Sequence, residues 1–508
     1  MSARSTITCF SVIATLTGCG GVRATTSPSP AVPPAVTRAS LTRMIDSMVS
    51  APEFRTALWG ILIVDPEARD TLYAHNAAKL FIPASNQKIV SGSVMLEQLG
   101  PEFRFRTTFA THGTIADGVL NGDLAIIGRG DPTMSNRMTK GDALAALRAI
   151  ADSLSQRGIR RIMGNVVAIG DAFPGPVRGA AWPWDGLNGA SFAGVDELLF
   201  NEGLSTFRVR PGANVGDAAI VETRPARTFP NVRVTATTIA RDSTMASGPG
   251  RGRAGTGTRV SAHHDTLTSA VIVRGQIALG DSATITLPHH DPNSAFVAAL
   301  TEVLAERGIP VDRQPTTWSQ ESRVDSLFTV LSVPLKEIMP AVMKPSQNQI
   351  AEVFLRTLGL ERAGVGTADS GRRVVERQFA QWKIPSDAFV VRDGSGLSRS
   401  DLISPEAIVS ILEAMRGSPN FAVFYESLPI AGVDGTIRTR MRDTPAQGNL
   451  RAKTGTLSMV RSLSGYVRTA DGRLLEFSML CNNWTTPQAA VDRVQDAIGS
   501  ALAQLRLR

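Results

Sequence analysis

Apolar residues recur at helical spacing at Leu41, Met44, Ile45, Met48 and Val49, so the folded chain is expected to open on a helix. Positions 58–64 then read as a strand, Asp65-Pro66-Glu67 as a turn and 71–74 as a second strand. Ile89, Gly92, Leu96 and Leu99 lie on one stripe of a helix that starts near Ser85 and stops at Gly100-Pro101. From about 105 the texture changes to short alternating strands at 103–110 and 124–127. A turn at Gly128-Arg129-Gly130-Asp131-Pro132 and a helix carrying Leu144, Leu147, Ile150 and Leu154 follow. Positions 205–288 are again strand-like, interrupted by a loop, SGPGRGRAGTG, at 247–257. Helical texture returns from about Asp325, with Leu335, Ile338, Met339 and Val342, then Ile350, Val353, Phe354, Thr357 and Leu358. The chain ends on strands around Lys453 and a hairpin across Ala470-Asp471-Gly472-Arg473. A last helix opens at Thr486-Pro487 and buries Val491, Val494, Ile498, Ala501 and Leu505. No internal repeat is evident.

This pattern describes one catalytic domain cut by a long insertion. A chain of 508 residues exceeds one core, and 43% hydrophobic content is ample for burial. The net charge of +8 suits an acidic polymer as well as DNA. No zinc-finger spacing, P-loop or densely basic helix stripe accompanies it, so nucleic acid is not an expected partner; a solvated arginine-rich surface accounts for the charge.

The first residues read as an export signal. Arg4 precedes a mostly apolar stretch from Ile7 to Leu16, too short to span a bilayer, and Leu16-Thr17-Gly18-Cys19 resembles a bacterial lipobox. Residues 1–18 are therefore expected to be a lipoprotein signal peptide and Cys19 the lipidated residue. Such a chain is anchored to a membrane without crossing it. An ordinary secretory signal with a chance cysteine is the alternative. Residues 19–39, rich in Pro, Ser, Thr and Ala, read as a flexible linker. Gly20 after the cysteine points to the periplasmic side of the outer membrane. Cys481 has no partner and follows an apolar run, as a buried small hydrophobe would.

Lysine occurs only at 79, 88, 140, 336, 344, 383 and 453, against 53 Lys plus Arg in all. Arginine does not release its proton, whereas a desolvated lysine can act as a base. Two of the seven lysines fall in Ser85-Asn86-Gln87-Lys88 and Lys453-Thr454-Gly455-Thr456, with Ser346-Gln347-Asn348 between them. Those three elements in that order describe an acyl-transfer serine enzyme that uses lysine in place of histidine. Ser85 and Lys88, three apart, share one face of the helix, at its electropositive end.

Pro83-Ala84-Ser85-Asn86-Gln87-Lys88, Asp393-Gly394-Ser395-Gly396-Leu397-Ser398-Arg399 and Arg451-Ala452-Lys453-Thr454-Gly455-Thr456-Leu457 resemble the class C low-molecular-mass penicillin-binding proteins, the D-alanyl-D-alanine carboxypeptidases/endopeptidases. Gly122-Asp123-Leu124, Gly130-Asp131-Pro132 and Trp182-Pro183-Trp184-Asp185 fit as well. The resemblance implies an α+β multidomain chain: a transpeptidase/β-lactamase-like α/β/α catalytic domain with a long, mostly β insertion. The catalytic domain is placed at 40–104 and 325–508, domain II at 105–133 and 205–324, and domain III at 134–204. It further implies Ser85 as nucleophile and Lys88 as base, with the cation Lys453 and desolvation lowering the pKa of Lys88. Ser346 relays a proton to the leaving D-alanine, and Asn348 positions Lys88. Thr454 and Thr456, with Lys453, bind the terminal carboxylate; Gly455 and Leu457 complete that binding edge. The N–H groups of Ser85 and Thr456 form an oxyanion hole. Arg399, Asp185 and Phe192 contact the stem peptide. The expected partners are peptidoglycan peptides ending in D-Ala-D-Ala and β-lactam antibiotics. No cofactor or metal is called for.

Other readings remain beside this one. Arg399 would serve equally in a structural ion pair and Asp185 as a cap. His263-His264-Asp265 and His289-His290-Asp291 lack a third ligand group at convincing spacing and read as loop histidines, Asp291-Pro292 being a helix start. A lactamase or esterase of the Tyr-x-Asn type is disfavoured, because none of Tyr73, Tyr425 and Tyr466 has asparagine two residues on. A class A lactamase lacks its deacylating glutamate at 380–390. A non-catalytic wall-binding or β-lactam-sensing module is the rival from another class.

Overall fold

The computed structural model describes residues 36–179, 181–241, 257–265, 268, 270–313 and 324–507. The signal, Cys19, the linker up to residue 35 and nearly all of the glycine-rich loop at 247–257 lie outside the described residues.

A five-stranded antiparallel sheet organises the catalytic part. Its order is Arg451–Leu457, Val460–Arg468, Leu474–Asn482, Leu58–Asp65, Asp70–His75, so the two ends of the chain meet in its middle. The strands Val460–Arg468 and Leu474–Asn482 are buried almost without interruption, as strands covered on both faces must be. Helices Arg38–Val49 and Gln488–Gln504 cover one face, where Leu41, Ile45, Val491 and Ile498 pack on Ile61, Ile63, Leu463 and Met479. Helices Gln87–Leu99, Leu335–Met343, Asn348–Ala363 and Pro405–Arg416 form the other layer, with Val94, Met339, Phe354 and Ile411 in one core. The result is the α/β/α arrangement expected. Cys481 is fully buried in the first of these cores, and burial drives its thiol pKa upward. Among the described residues no helix is long and apolar enough to cross a membrane.

The insertion departs from the predicted partition. Residues 134–204 do not build a core of their own. Helix Ala145–Gln156 and strand Val166–Ile169 join strands Arg106–Thr111, Leu124–Ile127 and Asp325–Leu331 and helix Pro292–Glu306 around Leu147, Ile126, Phe109 and Leu300. The second inserted core is made by 204–288 alone, around Phe207, Val209, Val271, Val273 and Ile277. Periodicity finds the strand Leu124–Ile127 and the helix around Leu147 but misses the strand Val166–Ile169, and it says nothing of which distant strand pairs with which. Asp325–Leu331 is a strand against Arg106–Thr111, so helical texture resumes only at Leu335. Of the histidines, His289 and His290 lie in a loop as expected, whereas His263 and His264 end the strand Arg259–His264. The His264 and His290 rings stack at 3.4 Å, and His289 is buried beside Ser205. Asp291 does cap the helix, accepting from the Ser294 N–H at 2.9 Å.

Candidate active site

Ser85 lies in a 3-10 turn, Ala84–Asn86, that runs straight into the helix Gln87–Leu99. Ala84 is held at φ +46°, a left-handed conformation that a non-glycine residue adopts only when its surroundings impose it. The surroundings are polar anchors on the central strands. Asn86 donates to Ser464 Oγ at 2.6 Å, Ser462 Oγ donates to the Pro83 carbonyl at 2.7 Å, and the Ile82 N–H donates to Asn482 Oδ1 at 2.8 Å.

Lys88, one helical turn on, is fully buried. Its ammonium nitrogen reaches Ser85 Oγ at 2.9 Å, Asn348 Oδ1 at 2.7 Å and the Ser395 carbonyl at 2.7 Å. Burial pulls its pKa down from 10.5 to about 7, against the opposing pull of Asp393, Glu352 and Asp401. Lys453, also fully buried, lies on the edge strand Arg451–Leu457 and donates to Ser346 Oγ and the Thr454 carbonyl, both at 2.8 Å. Burial and the neighbouring Lys88 hold its pKa well below the usual lysine value. Desolvation is thus the leading cause of the lowered Lys88 pKa, and the repulsion between the two lysines falls on Lys453.

Ser346 sits at φ +63° in the short link between helices Leu335–Met343 and Asn348–Ala363. Asn348 opens the second helix, and its Nδ2 donates to the Ser191 carbonyl of the insertion at 3.0 Å. The strand Arg451–Leu457 is a sheet edge, and Ala452 N–H points off it to the Pro429 carbonyl at 3.0 Å. The two-residue repeat of a strand places the Thr456 N–H on that same free edge, beside Ser85. Gly455 lets the edge come this close. A Cβ there would stand 2.5 Å from the Pro83 carbonyl oxygen and 2.8 Å from the Ser85 nitrogen, and would overlap Ser462 Oγ. Gly455→Ala should therefore cut acylation of Ser85 by at least tenfold, which the rate of labelling by a fluorescent penicillin measures. Thr454 Oγ1 donates to Thr436 Oγ1 at 2.7 Å, and Thr456 Oγ1 accepts from Arg461, itself paired with Asp492 at 2.6 Å.

The three motifs therefore converge around one hydroxyl. The outlying candidates are placed less directly. Leu457 ends the edge strand, and exposed Arg399 donates to the Ser458 carbonyl at 2.9 Å just beyond it. Asp185 is exposed in the turn Trp184–Gly186, and Phe192 packs edge-on against Trp182 at 5.9 Å. That stretch belongs to the insertion yet is tied to the catalytic part, since the Trp182 indole donates to Asp393 Oδ2 at 3.0 Å. The buried acids Glu352 and Asp401 escape the motif reading. Glu352 accepts from the Gly394 and Ser395 N–H groups, and Asp401 from those of Arg392 and Asp393. Glu352 had a signal: a carboxylate one turn after Asn348, inside the apolar run Ile350, Val353 and Phe354.

Residues 41–505 match the model of the D-Ala-D-Ala carboxypeptidase 3 (S13) family. The chain belongs to that family. A D-alanyl-D-alanine carboxypeptidase of Actinomadura sp. (strain R39) is 30% identical over 479 residues, 91% of this chain and 84% of the relative. The D-alanyl-D-alanine carboxypeptidase DacB of Haemophilus influenzae is 26% identical over 421 residues, 81% of this chain and 82% of its own. In structure, penicillin binding protein 4 (dacB) from Haemophilus influenzae superposes with a TM-score of 0.74 at 23% identity, covering 92% of this chain and 99% of that one. A complex of it with a β-lactam gives 0.70 at 22% identity, covering 90% and 98%. As an S13 enzyme the chain is a serine-type D-Ala-D-Ala carboxypeptidase on a transpeptidase-like fold. Among the described residues no three His, Cys, Asp or Glu side chains are grouped to hold a metal ion.

Proposed function

We propose that the enzyme cleaves the D-Ala-D-Ala end of peptidoglycan stem peptides through an acyl-enzyme on Ser85. The observation that carries this reading is the buried Lys88 nitrogen 2.9 Å from Ser85 Oγ. Neutral Lys88 takes the hydroxyl proton as Oγ attacks the carbonyl of the penultimate D-alanine. The Ser85 and Thr456 N–H groups hold the oxyanion, at about 3 kcal/mol per donor. Protonated Lys88 then passes that proton through Ser346, itself hydrogen-bonded to Lys453, to the departing D-alanine nitrogen, which leaves both Lys88 and Ser346 as they began. Lys453, Thr454 and Thr456 receive the terminal carboxylate, while Asn348 keeps Lys88 in place. Water then attacks the ester as neutral Lys88 takes its proton and delivers it to Oγ, which frees Ser85 and the shortened peptide. β-Lactams enter by the same attack and leave slowly. Acceptance of a second stem peptide as leaving group gives endopeptidase activity by the same steps.

The test is incubation with a fluorescent penicillin together with D-alanine release from a pentapeptide. A covalent band and released D-alanine, both abolished in Ser85→Ala, support the reading. A band without D-alanine release supports a β-lactam sensor instead. Acylation should also fall about tenfold per pH unit below about 7, because only neutral Lys88 accepts the proton. A flat profile between pH 5 and 7 removes Lys88 from that role. The same reading places the enzyme in the periplasm, held to the outer membrane by lipid on Cys19. Its support is the sequence Leu16-Thr17-Gly18-Cys19. A Cys19→Ser chain that still partitions with membranes in detergent-free lysate overturns the anchor.

A further inference from the structure

Trp182 and Asp393 join the insertion to the turn that faces Lys88. Asp393 stands in the turn between strands Phe389–Val390 and Leu402–Ile403 and is 1% exposed. Its Oδ1 accepts from the N–H groups of Gly396 at 2.7 Å and Ser395 at 3.2 Å. Its Oδ2 accepts from the Ser398 N–H at 2.7 Å and from the Trp182 indole at 3.0 Å. The same turn delivers the Ser395 carbonyl to Lys88. Ser91 Oγ grips the Gly394 carbonyl at 2.8 Å, and Gln87 Nε2 the Asp393 carbonyl at 3.3 Å, so the turn is docked along the nucleophile helix. Trp182 itself is nearly buried, and its ring is fixed by Phe192.

We propose that Asp393 and Trp182 are positioning residues for acylation: the inserted segment's indole N–H and three turn amides converge on one carboxylate, and that carboxylate sets the carbonyl that holds Lys88. The inference rests on the reading of Lys88 as base. It adds that the insertion, through Trp182, governs how Lys88 meets Ser85. A purely architectural turn would need its own amides satisfied, and the carboxylate already does that without the indole. The fourth donor comes from the segment that also supplies Ser191 to Asn348. Two of the three groups around the Lys88 nitrogen, Asn348 and Ser395, are thereby braced by one stretch of the insertion.

Opposite effects on charge follow. Asp393 favours protonated Lys88, and an indole N–H disperses part of its negative charge. Trp182→Phe keeps the ring but removes that donor, so the acid limb of the acylation profile should move up by about 0.5 pH unit. Asp393→Asn removes the anion, so the limb should move down. The other groups around Lys88 are Glu352 from helix Asn348–Ala363, Asp401 beyond the turn and Lys453 from the edge strand; Arg356 faces Glu352. Trp182→Phe removes none of these groups, whereas Asp393→Asn also removes the charge that raises the Glu352 and Asp401 carboxyl pKa values, so Trp182→Phe is the cleaner reading.

The measurement is the pH dependence of fluorescent-penicillin acylation for wild type and both variants, with kcat and KM for a pentapeptide. Slower acylation in Trp182→Phe, about threefold to tenfold, with its limb displaced upward supports the proposal. Unchanged acylation and an unmoved limb overturn it. So does a higher KM alone, which makes Trp182 a substrate contact. Should Asp393→Asn fail to fold, Trp182→Phe decides the matter by itself. Failure of the base assignment shows separately, as a wild-type profile without an acid limb.

Discussion

Lys88→Met is expected to lower acylation of Ser85 by about 10²- to 10⁴-fold while leaving the protein folded. Methionine has nearly the length of lysine and suits a site that is fully buried, so the nucleophile helix should keep its place. The substitution strands the Ser395 carbonyl and Asn348 Oδ1, which accept from the lysine at 2.7 Å each. Loss of those partners costs about 1–3 kcal/mol per acceptor, partly offset because no ammonium group has to be kept out of water. A folded protein whose thermal midpoint is lowered by a few degrees, with almost no labelling by fluorescent penicillin, is the expected pair of results. Lys88→Arg should fare no better, since guanidinium stays protonated and cannot receive the serine proton. Labelling of either variant at the wild-type rate would mean that another group takes that proton.

The legibility of this site in the sequence follows from the kind of physics involved. Ser85 and Lys88 are near neighbours, and helical geometry alone puts them on one side. Lys453 and Asn348 were legible because the acyl-transfer chemistry restricts which residue types can stand there. The α/β/α core was legible from the continuous apolar strands and amphipathic helices. Pairings over long separations were not: nothing local says that Asp325–Leu331 runs against Arg106–Thr111, or that Val166–Ile169 joins the same sheet. Burial was equally hidden. Asp401 looks like a surface acid, and Glu352 is marked only by the apolar run around it, until the fold closes over both and raises their carboxyl pKa values, Glu352 to about 7. The link from Trp182 to Asp393 spans both gaps, because it depends on a distant contact between two buried groups.

Gly396→Ala should disturb both folding and chemistry, because the space for a side chain there is already taken. Gly396 has φ +84°, where an L-residue costs about 1 kcal/mol even in open space. Here a Cβ would overlap the carbonyl of Ala84, the strained residue immediately before the nucleophile, and would stand 3.0 Å from Gln87 Cβ. Neither neighbour yields cheaply: Ala84 is backbone pinned between the strands and the helix, and Gln87 lies within the first turn. The overlap must push the Asp393–Ser398 turn away from the helix. That movement takes the Ser395 carbonyl from Lys88 and loosens the peptide that orients Ser85 Oγ. Overpacking of about 1–3 kcal/mol adds to the backbone term, so a total loss of roughly 2–4 kcal/mol is expected from chemical denaturation. Acylation should fall by at least a hundredfold, since displacement of a reacting group by about 1 Å costs that much. Denaturation midpoints and labelling rates on the same preparation read both effects. Wild-type stability together with wild-type labelling would show that the turn and the nucleophile's peptide are not in contact.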